Sequence, residues 1–234
     1  MIGEPVWAVV PVKPFEVAKV RLAPVLSKPE RIRLARAMLE DVLDAIGACR
    51  RLAGLIVVTR DRDAAAMARQ RGGIALAEEA GIGLNGALHV AVRRLACVRG
   101  GGMIVVPSDI PQVTARTIDE VAVLLARPPA VVLARAISDG GTNLFACRPA
   151  DAVASSFGPD SFHRHGGTAR SAGIAPEVIE NDDVGRDLDR PEDLAAFLAL
   201  RSPTRTHTLL SRLDIDMRLR FSSPGRATVA ATRA

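Results

Sequence analysis

The sequence predicts an α/β protein whose core is a mostly parallel β-sheet between two layers of helices. Apolar runs of strand length alternate along the chain with longer segments in which apolar residues recur at helical spacing. Strands that alternate with helices of ten or more residues are typical of βαβ units, which build parallel sheets. The chain has 234 residues, of which 48% are hydrophobic, and this is enough to bury the core of one such domain.

The predicted elements follow one another in a regular order. The strands are short apolar runs, several of them rich in β-branched residues, at residues 7–12, 54–59, 74–77, 103–107, 130–134 and 143–147. The helices are predicted at residues 27–46, 61–71, 84–99, from residue 114 onward, and 191–200. The first helix has the clearest start, because Ser27 and Glu30 form a capping pattern with Pro29 in the first turn. Asp61 and Thr114 are residue types that cap later helices.

The net charge of +5 is confined to the end of the chain. Residues 201–234 contain seven arginines and two aspartates, whereas residues 1–200 contain equal numbers of basic and acidic side chains. Only 3% of the residues are aromatic, and nucleic-acid surfaces often combine basic with aromatic side chains. We therefore expect a domain at residues 1–200, a basic and flexible tail at residues 201–234, and no nucleic-acid partner. Within the tail, only residues 209–215 are apolar enough to pack.

The sequence also predicts where the protein resides. It has no apolar run long enough to cross a membrane, and its start lacks the pattern of a secretory signal. We therefore expect a cytoplasmic protein without a membrane partner. The cysteines Cys49, Cys97 and Cys147 lack the spacing of a zinc or redox site, and we expect buried free thiols.

The loop after the first predicted strand is basic. In parallel sheets ligands bind outside the carboxyl ends of the strands, and this loop carries Lys13, Lys19 and Arg21 between prolines. Three cations suit a polyphosphate, because they neutralise its charge and arginine binds two oxygens at once. A solvated loop explains the same residues equally well.

A glycine turn that contains Glu79, Gly81 and Asn85 opens the third predicted helix. Glycine lets backbone N–H groups approach a ligand, and the start of a helix adds positive potential. A carboxylate here would also be able to accept the ring N–H and amino protons of guanine. A plain turn is the more common explanation of such a pattern.

Three aspartates are candidate metal ligands. Asp109 follows the apolar strand at residues 103–107, and Asp187 and Asp189 are separated by one residue. In an extended segment the latter two side chains point to one face. Mg²⁺ is a hard ion that binds carboxylate and phosphate oxygens. A helix N-cap is an equally good interpretation of Asp189, because a helix that begins with proline follows it.

A further polar group lies between residues 141 and 165. Thr142 and Ser161 carry hydroxyls that donate to a carboxylate or phosphate, and Gly158 and Ser161 lie where a loop enters a helix. His163 and His165 would be able to act as general bases, but histidines at the surface or at a helix cap are more common.

Taken in order, these motifs resemble the 2-phospho-L-lactate guanylyltransferase family, also described as phosphoenolpyruvate guanylyltransferase, of coenzyme F(420) biosynthesis. The resemblance covers about residues 6–200 and rests on PVKPFEVAKVRLAPVLS, GIGLNGAL, PSDIP, GGTNLF, FGPDSFHRH and DLDRPEDL. It implies a Rossmann-like nucleotidyltransferase fold of the GT-A-like, three-layer α/β/α type. It also implies an enzyme that transfers GMP from GTP to the phosphate of phosphoenolpyruvate, 2-phospho-L-lactate or 3-phospho-D-glycerate and releases pyrophosphate.

The resemblance implies a role for each candidate residue. The magnesium ligands would be Asp109, Asp187 and Asp189. The phosphorylated acid would be held by Thr142, Gly158, Ser161 and His165. The nucleotide would be held by Pro11, Lys13, Lys19, Arg21, Glu79, Gly81, Asn85 and Pro107. The catalytic residues would be Lys13, Lys19, Arg21 and Asp109.

This chemistry needs no general base. The second pKa of a phosphate monoester is about 6, so at neutral pH the acceptor is already a dianionic nucleophile, and metal ions and Lys or Arg side chains stabilise the spreading charge. The alternatives are a nucleotidyltransferase of the same fold that acts on a sugar phosphate or molybdopterin, and a binding domain without activity. Leu144 and Phe145 are bulkier than the residues usual in the family, and Ala80 and Arg190 also depart from its pattern. The bulk of Leu144 and Phe145 leaves the identity of the acid open. The sequence is also compatible with a homodimer.

Overall fold

The order of strands across the sheet places the most apolar segments at its centre. The computed structural model describes residues 5–79, 81–96, 101–138 and 140–222. Their strands are β1 Val6–Val12, β2 Gly54–Thr59, β3 Ile74–Ala77, β4 Gly102–Val105, β5 Ala130–Arg135, β6 Thr142–Arg148 and β7 Glu177–Ile179. They form one sheet in the order β3-β2-β1-β4-β6-β5-β7.

The sheet is mostly parallel, as predicted, and β6 is the exception. Strand β1 pairs in parallel with β2 and β4, β2 with β3, and β5 with β7. Strand β6 runs antiparallel to both of its neighbours, β4 and β5. The connection from Arg135 to Thr142 causes this reversal, because a parallel crossover needs about a dozen residues or more and this loop is much shorter. As a result, the start of β6 lies at the same edge of the sheet as the carboxyl end of β4.

Helices cover both faces of the sheet. The helices are α1 Lys28–Gly47, α2 Arg62–Gln70, α3 Gly83–Ala96, α4 Ala115–Leu124, α5 Ser161–Ser171, α6 Asp182–Gly185, α7 Pro191–Ala199, α8 Arg205–Ser211 and α9 Ile215–Ser222. In β1, Ala8 and Val10 pack into the core beneath α1 and α2, whereas Val9 packs against α3 on the other face. Burial on both faces explains why the central strands are continuously apolar rather than alternating.

The predicted helix starts are confirmed by their hydrogen bonds. The Ser27 backbone N–H donates to Glu30 Oε2 at 2.8 Å, as expected for the capping pattern of α1. The Asp61 side chain accepts two backbone N–H groups at the start of α2, and the Thr114 hydroxyl accepts one at the start of α4. Each of these signals lies within a few residues in the sequence, which is why a single sequence reveals them.

Two of the three cysteines lie in the described part of the chain. Cys147 is a buried free thiol, as expected, whereas Cys49 is a free thiol that is only half-buried. Burial raises the pKa of each thiol to about 12. Cys97 and the end of the predicted third helix at residues 97–99 lie outside the described residues.

The packed structure continues past the expected boundary at residue 200. Leu210 of α8 and Ile215 of α9 are buried in the same core as α1. The Asp41 carboxylate of α1 accepts the backbone N–H groups of Arg205 and Thr206, both at 2.9 Å, and the Thr206 hydroxyl at 2.6 Å. The packing of Leu210 and Ile215 agrees with the expectation that residues 209–215 pack, whereas the contacts of Arg205 and Thr206 depart from the expectation of a flexible tail. Residues 223–234 of the predicted tail lie outside the described residues.

Hydropathy along these helices bears on the membrane prediction. Within the described ranges, no helix is both long enough and apolar enough to cross a membrane.

Candidate active site

A cleft of about 500 Å³ opens at the edge of the sheet where β1 and β4 end and β6 begins. It brings together most of the candidate residues, although they are far apart in the sequence. The predicted site residues that line it are Pro11, Lys13, Lys19, Arg21, Pro107, Asp109, Thr142, Asp187 and Asp189. The antiparallel direction of β6 delivers Thr142 to this edge, because the residue stands at the start of that strand.

The basic loop after β1 holds Lys19 between two 3₁₀ turns, Phe15–Val17 and Val20–Leu22. Lys19 has a φ of 55°, a left-handed conformation that is uncommon for residues other than glycine. The loop is fixed by the burial of Phe15 and by a hydrogen bond from its backbone N–H to Asp61 Oδ2 at 2.8 Å. The strained conformation therefore sits inside a well-anchored loop, a combination that is common at functional sites.

The Lys19 side chain is buried between two of the candidate aspartates. Its Nζ lies 2.6 Å from Asp109 Oδ2 and 3.4 Å from Asp189 Oδ1, and its side chain is only 7% exposed. Burial alone would lower the pKa of the ammonium group, but the attraction of Asp109 and Asp189 outweighs burial and raises it. Lys19 is therefore a charged residue held in place by the acidic side chains.

Asp189 faces the basic loop rather than the helix that follows it. Its Oδ2 accepts a hydrogen bond from Arg21 Nη1 at 2.6 Å. Burial would raise the pKa of Asp189, but Lys19 and Arg21 together lower it. The start of α7 is satisfied instead by Asp193, whose carboxylate accepts the N–H groups of Asp189 at 3.0 Å and Arg190 at 2.7 Å. The helix-cap interpretation of Asp189 is therefore wrong.

Asp187 has fewer hydrogen-bond partners than Asp189. Its Oδ1 accepts the Ser138 hydroxyl at 2.9 Å, and both burial and the nearby Asp109 carboxylate raise its pKa. The residue between the two aspartates, Leu188, is buried, and its backbone N–H donates to the Asp109 carbonyl at 3.1 Å. This hydrogen bond ties the two acidic segments together and leaves Asp187 and Asp189 on the cleft side.

The charges of this cluster do not cancel. Within the described part of the chain, the cations close to Asp109, Asp187 and Asp189 are Lys19 and Arg21. Among the described residues, no three His, Cys, Asp or Glu side chains are already arranged as a metal site. The cluster is thus a region of excess negative charge rather than a preformed metal cage.

The residues predicted to hold the acid form a hydrogen-bonded chain beside Thr142. The Thr142 backbone N–H donates to Ser161 Oγ at 3.0 Å, and its hydroxyl lies 2.9 Å from His165 Nδ1. The backbone N–H of Ser156 donates to His165 Nε2 at 2.8 Å. Ser161 and His165 are almost completely buried and do not line the cleft. Thr142 is the member of this hydrogen-bonded group that does.

The two histidines have different surroundings. His165 is fully buried, so the expectation of a surface or capping histidine is wrong for it. Burial, together with the nearby Arg164 cation, lowers its pKa to about 4. His163 is exposed, as expected. Because both ring nitrogens of His165 are engaged within the protein, direct contact with an acid is not available to it in this arrangement.

The glycine turn before α3 is placed differently from the expectation. Glu79, Gly81 and Asn85 do not line the cleft, whereas the neighbouring Glu78 and Gly83 do. The Asn85 side chain accepts the Phe157 backbone N–H at 2.8 Å and donates to its carbonyl at 3.1 Å. Both ends of this amide are thus used to hold Phe157.

Three further residues of the cleft are not among the predicted site residues. Ser108, Asn143 and Phe157 line the cleft, and the buried Asn143 Nδ2 has no hydrogen-bond partner among the residues described. The sequence does contain a signal for Asn143, because this amide follows Thr142 at the start of a predicted strand. Gly158, with a φ of 132°, lies just after Phe157 in the loop before α5.

Comparison with known proteins adds independent information. The family model described as guanylyl transferase CofC like matches residues 6–232. A phosphoenolpyruvate guanylyltransferase of Sphaerobacter thermophilus is 39% identical over 80% of this chain and 89% of that protein. A 3-phospho-D-glycerate guanylyltransferase of Phenylobacterium zucineum is 36% identical over 84% of this chain and 91% of that protein.

Solved structures resemble the fold. The crystal structure assigned to a nucleotide-diphospho-sugar transferase from Desulfovibrio desulfuricans G20 matches with a TM-score of 0.72. The match covers 93% of this chain and 97% of that one at 19% identity. At this identity the likeness shows the nucleotidyltransferase-like α/β fold alone.

Proposed function

The chain belongs to the family of CofC-like guanylyl transferases and is a nucleotidyltransferase, and on that premise we propose that it transfers GMP from GTP to a phosphorylated three-carbon acid. Phosphoenolpyruvate, 2-phospho-L-lactate and 3-phospho-D-glycerate are the candidate acceptors, and the product would serve coenzyme F(420) biosynthesis. The observation that carries the proposal is the buried Lys19, held between Asp109 and Asp189 at the cleft that Thr142 also lines. The rival activity on a sugar phosphate or molybdopterin is less well supported, because the likeness to the sugar-nucleotide enzyme shows only the fold.

The reaction requires two anions to approach each other. A phosphate oxygen of the acid attacks the α-phosphorus of GTP, a new P–O bond forms, and the bond to pyrophosphate breaks. Lys13, Lys19 and Arg21 supply positive charge on the loop that borders the cleft, where developing negative charge on phosphate oxygens is stabilised. The acceptor phosphate is already ionised at neutral pH, so no proton must be removed. The lowered pKa of His165, to about 4, agrees with a mechanism without a histidine base.

Magnesium fits the acidic cluster. Asp109, Asp187 and Asp189 exceed their two close cationic partners in charge, and burial together with the nearby Asp109 carboxylate raises the pKa of Asp187. Mg²⁺ is usually bound through one or two carboxylates together with substrate phosphates, so a complete protein cage is not required. When bound, the ion would neutralise phosphate charge at the reacting centre. We propose these three aspartates as its ligands.

The two ends of the cleft suit the two substrates. We place the nucleotide along Pro11, the basic loop and Pro107, with the base toward Glu78 and Gly83 at the start of α3. Glu79 and Gly81 do not line the cleft, and only the resemblance supports their prediction as nucleotide-binding residues. We place the acid at Thr142, near Gly158 and Ser161, where the uncommitted Asn143 amide is a further donor for an anionic oxygen.

The direct test is pyrophosphate release by the full-length protein with Mg²⁺ and GTP. Each of the three acids is supplied separately, and Asp109→Ala is compared with Asp63→Ala as a matched control. Asp63 is an exposed acidic residue of α2 that pairs with Arg36 and does not line the cleft. We expect turnover with at least one acid, loss of turnover in Asp109→Ala, and wild-type rates in Asp63→Ala. Turnover only with CTP or ATP and a sugar phosphate would refute the proposal.

A further inference from the structure

His165 is buried in a polar position that the proposed reaction leaves unused. It is 0% exposed, and its ring packs against Phe145 at 4.6 Å and Phe157 at 4.9 Å between ring centroids. Its two nitrogens contact Thr142 and the backbone of Ser156. A buried polar ring that is held on four sides has a single orientation.

The contact with Ser156 fixes the tautomer of the ring. A backbone N–H is always a donor, so His165 Nε2, at 2.8 Å from the Ser156 nitrogen, must present its lone pair. Burial and the Arg164 cation, which is the charged group acting on the ring, lower its pKa to about 4, so the ring is neutral at physiological pH. The proton of the neutral ring therefore resides on Nδ1.

The tautomer in turn fixes the Thr142 hydroxyl. Because Nδ1 carries the proton, it donates to Thr142 Oγ1 at 2.9 Å, and the hydroxyl oxygen is the acceptor in this bond. The hydrogen bonds of the described residues give the hydroxyl proton no acceptor inside the protein. Thr142 lines the cleft, so an anionic oxygen there is the partner that this proton can reach.

We propose that His165 is a positioning residue: by donating from Nδ1 to Thr142, it directs the Thr142 hydroxyl proton toward an anionic oxygen of the phosphorylated acid in the cleft. This inference rests on the proposed function, because it takes the acid as the occupant of that part of the cleft. His165 itself does not contact the substrate. A hydroxyl that accepts a hydrogen bond is also a stronger donor, so the histidine both orients and polarises the group.

The first test is a direct observation on the wild-type full-length protein. Nitrogen-15 NMR of the histidine rings at pH 7 distinguishes the two neutral tautomers and the imidazolium ion. We expect His165 to carry its proton on Nδ1 and not on Nε2. A proton on Nε2, or a doubly protonated ring, would overturn the inference whatever the enzyme acts on.

The second test is a double-mutant cycle between Thr142 and His165. The KM for the acid and the KM for GTP are measured for each variant. Thr142→Val should raise the KM for the acid about 10- to 100-fold, since it removes a hydrogen bond to a charged group. His165→Phe keeps an aromatic ring in the core and should raise the same KM about three- to tenfold. Thr142→Ser retains the hydroxyl and should stay within about threefold of the wild type. The KM for GTP should change in none of them.

Non-additivity decides between a positioning role and a merely structural one. If His165 acts only through the Thr142 hydroxyl, the double variant that combines Thr142→Val with His165→Phe should have the same KM for the acid as Thr142→Val alone. Effects that multiply, or a rise in the KM for GTP equal to that for the acid, would overturn the inference. His165→Asn serves in the same cycle if the phenylalanine variant does not fold. Absence of wild-type turnover with every acid would instead count against the proposed function, while the NMR result would still stand for His165.

Discussion

The contact between α1 and α8 yields a quantitative prediction, because one buried carboxylate holds the start of α8. Asp41 is 8% exposed and accepts three hydrogen bonds, from the backbone N–H groups of Arg205 and Thr206 and from the Thr206 hydroxyl. The perturbation is Asp41→Ala, which removes the acceptor and leaves all three donors without it. The Arg205 and Thr206 backbone N–H groups belong to the first turn of α8, where N–H groups have no acceptor within the helix.

The magnitude follows from the kind of contact that is lost. Removing one partner of a buried charged network costs about 3–5 kcal/mol, whereas loss of a simple helix cap costs about 1 kcal/mol. Asp41 caps the helix and is also buried, so we expect the free energy of unfolding to fall by about 3 kcal/mol, nearer the first figure. For a domain of this size that corresponds to a fall in Tm of about 6–12 °C.

Asp44→Ala is the matched control for this measurement. Asp44 lies on the same helix and also contacts the Arg205 guanidinium, but its side chain is 41% exposed, and its partners are the exposed Arg205 and the partly exposed Arg71. Surface ion pairs contribute about 0–1 kcal/mol, so its Tm should fall by no more than about 4 °C. Thermal unfolding followed by circular dichroism measures both variants. Equal, small shifts in the two variants would refute the conclusion that α8 is part of the packed domain.

Three further predictions concern charge and reactivity. Hydrogen bonding to Arg218 lowers the pKa of Glu30 to about 2, below its ordinary 4.5, so its stabilising contribution is present above pH 4.5 and is lost as the pH falls through about 2. Glu30→Gln should therefore lose less Tm than the wild type between pH 5 and pH 2.5, and equal losses in a thermal titration would contradict this. Lys19→Met should lower kcat/KM for GTP by about 100-fold or more in the pyrophosphate assay, because it removes the cation that two cleft carboxylates hold, and a loss below about fivefold would argue against its role. Cys49 and Cys147 should resist iodoacetamide at pH 8 in the folded protein and react after unfolding, since burial raises the pKa of each to about 12; peptide mass spectrometry separates them from Cys97, and rapid alkylation of either in the folded state would contradict the burial.

Local signals in the sequence were sufficient for most of the sheet and for the position of the site. The cap formed by Ser27 and Glu30 lies within one helical turn, so its geometry is written in four consecutive residues. The convergence of Lys19, Asp109 and Asp189 was also predictable, although these residues are 90 and 170 positions apart. Lys19 and Asp109 follow the ends of β1 and β4, and parallel strands bring their carboxyl ends to one edge. Asp189 lies between α6 and α7 instead, and the resemblance alone implied its place beside them.

Contacts between distant segments explain what the sequence did not reveal. The start of α8 has a local cap, because the Thr204 hydroxyl accepts the His207 backbone N–H at 3.1 Å, but its docking onto α1 depends on Asp41, which is more than 160 residues earlier. The reversal of β6 did have a signal, the short connection between Arg135 and Thr142, because such a loop suits a hairpin and not a crossover. The burial of His165 had no such signal, since it depends on the packing of Phe145 and Phe157 around the ring.

The position of Lys19 explains how the cleft is organised before any substrate binds. A left-handed backbone at a residue other than glycine is unfavourable, and so is the burial of an ammonium group. Both are tolerated here because Asp109 and Asp189 offset them, and these aspartates gain a cation in return. The loop, which Phe15 and Asp61 also anchor, and the two acidic segments thus stabilise one another. An electrostatic site that is held in this way needs little rearrangement during the reaction, which is the condition under which fixed charges stabilise a transition state most effectively.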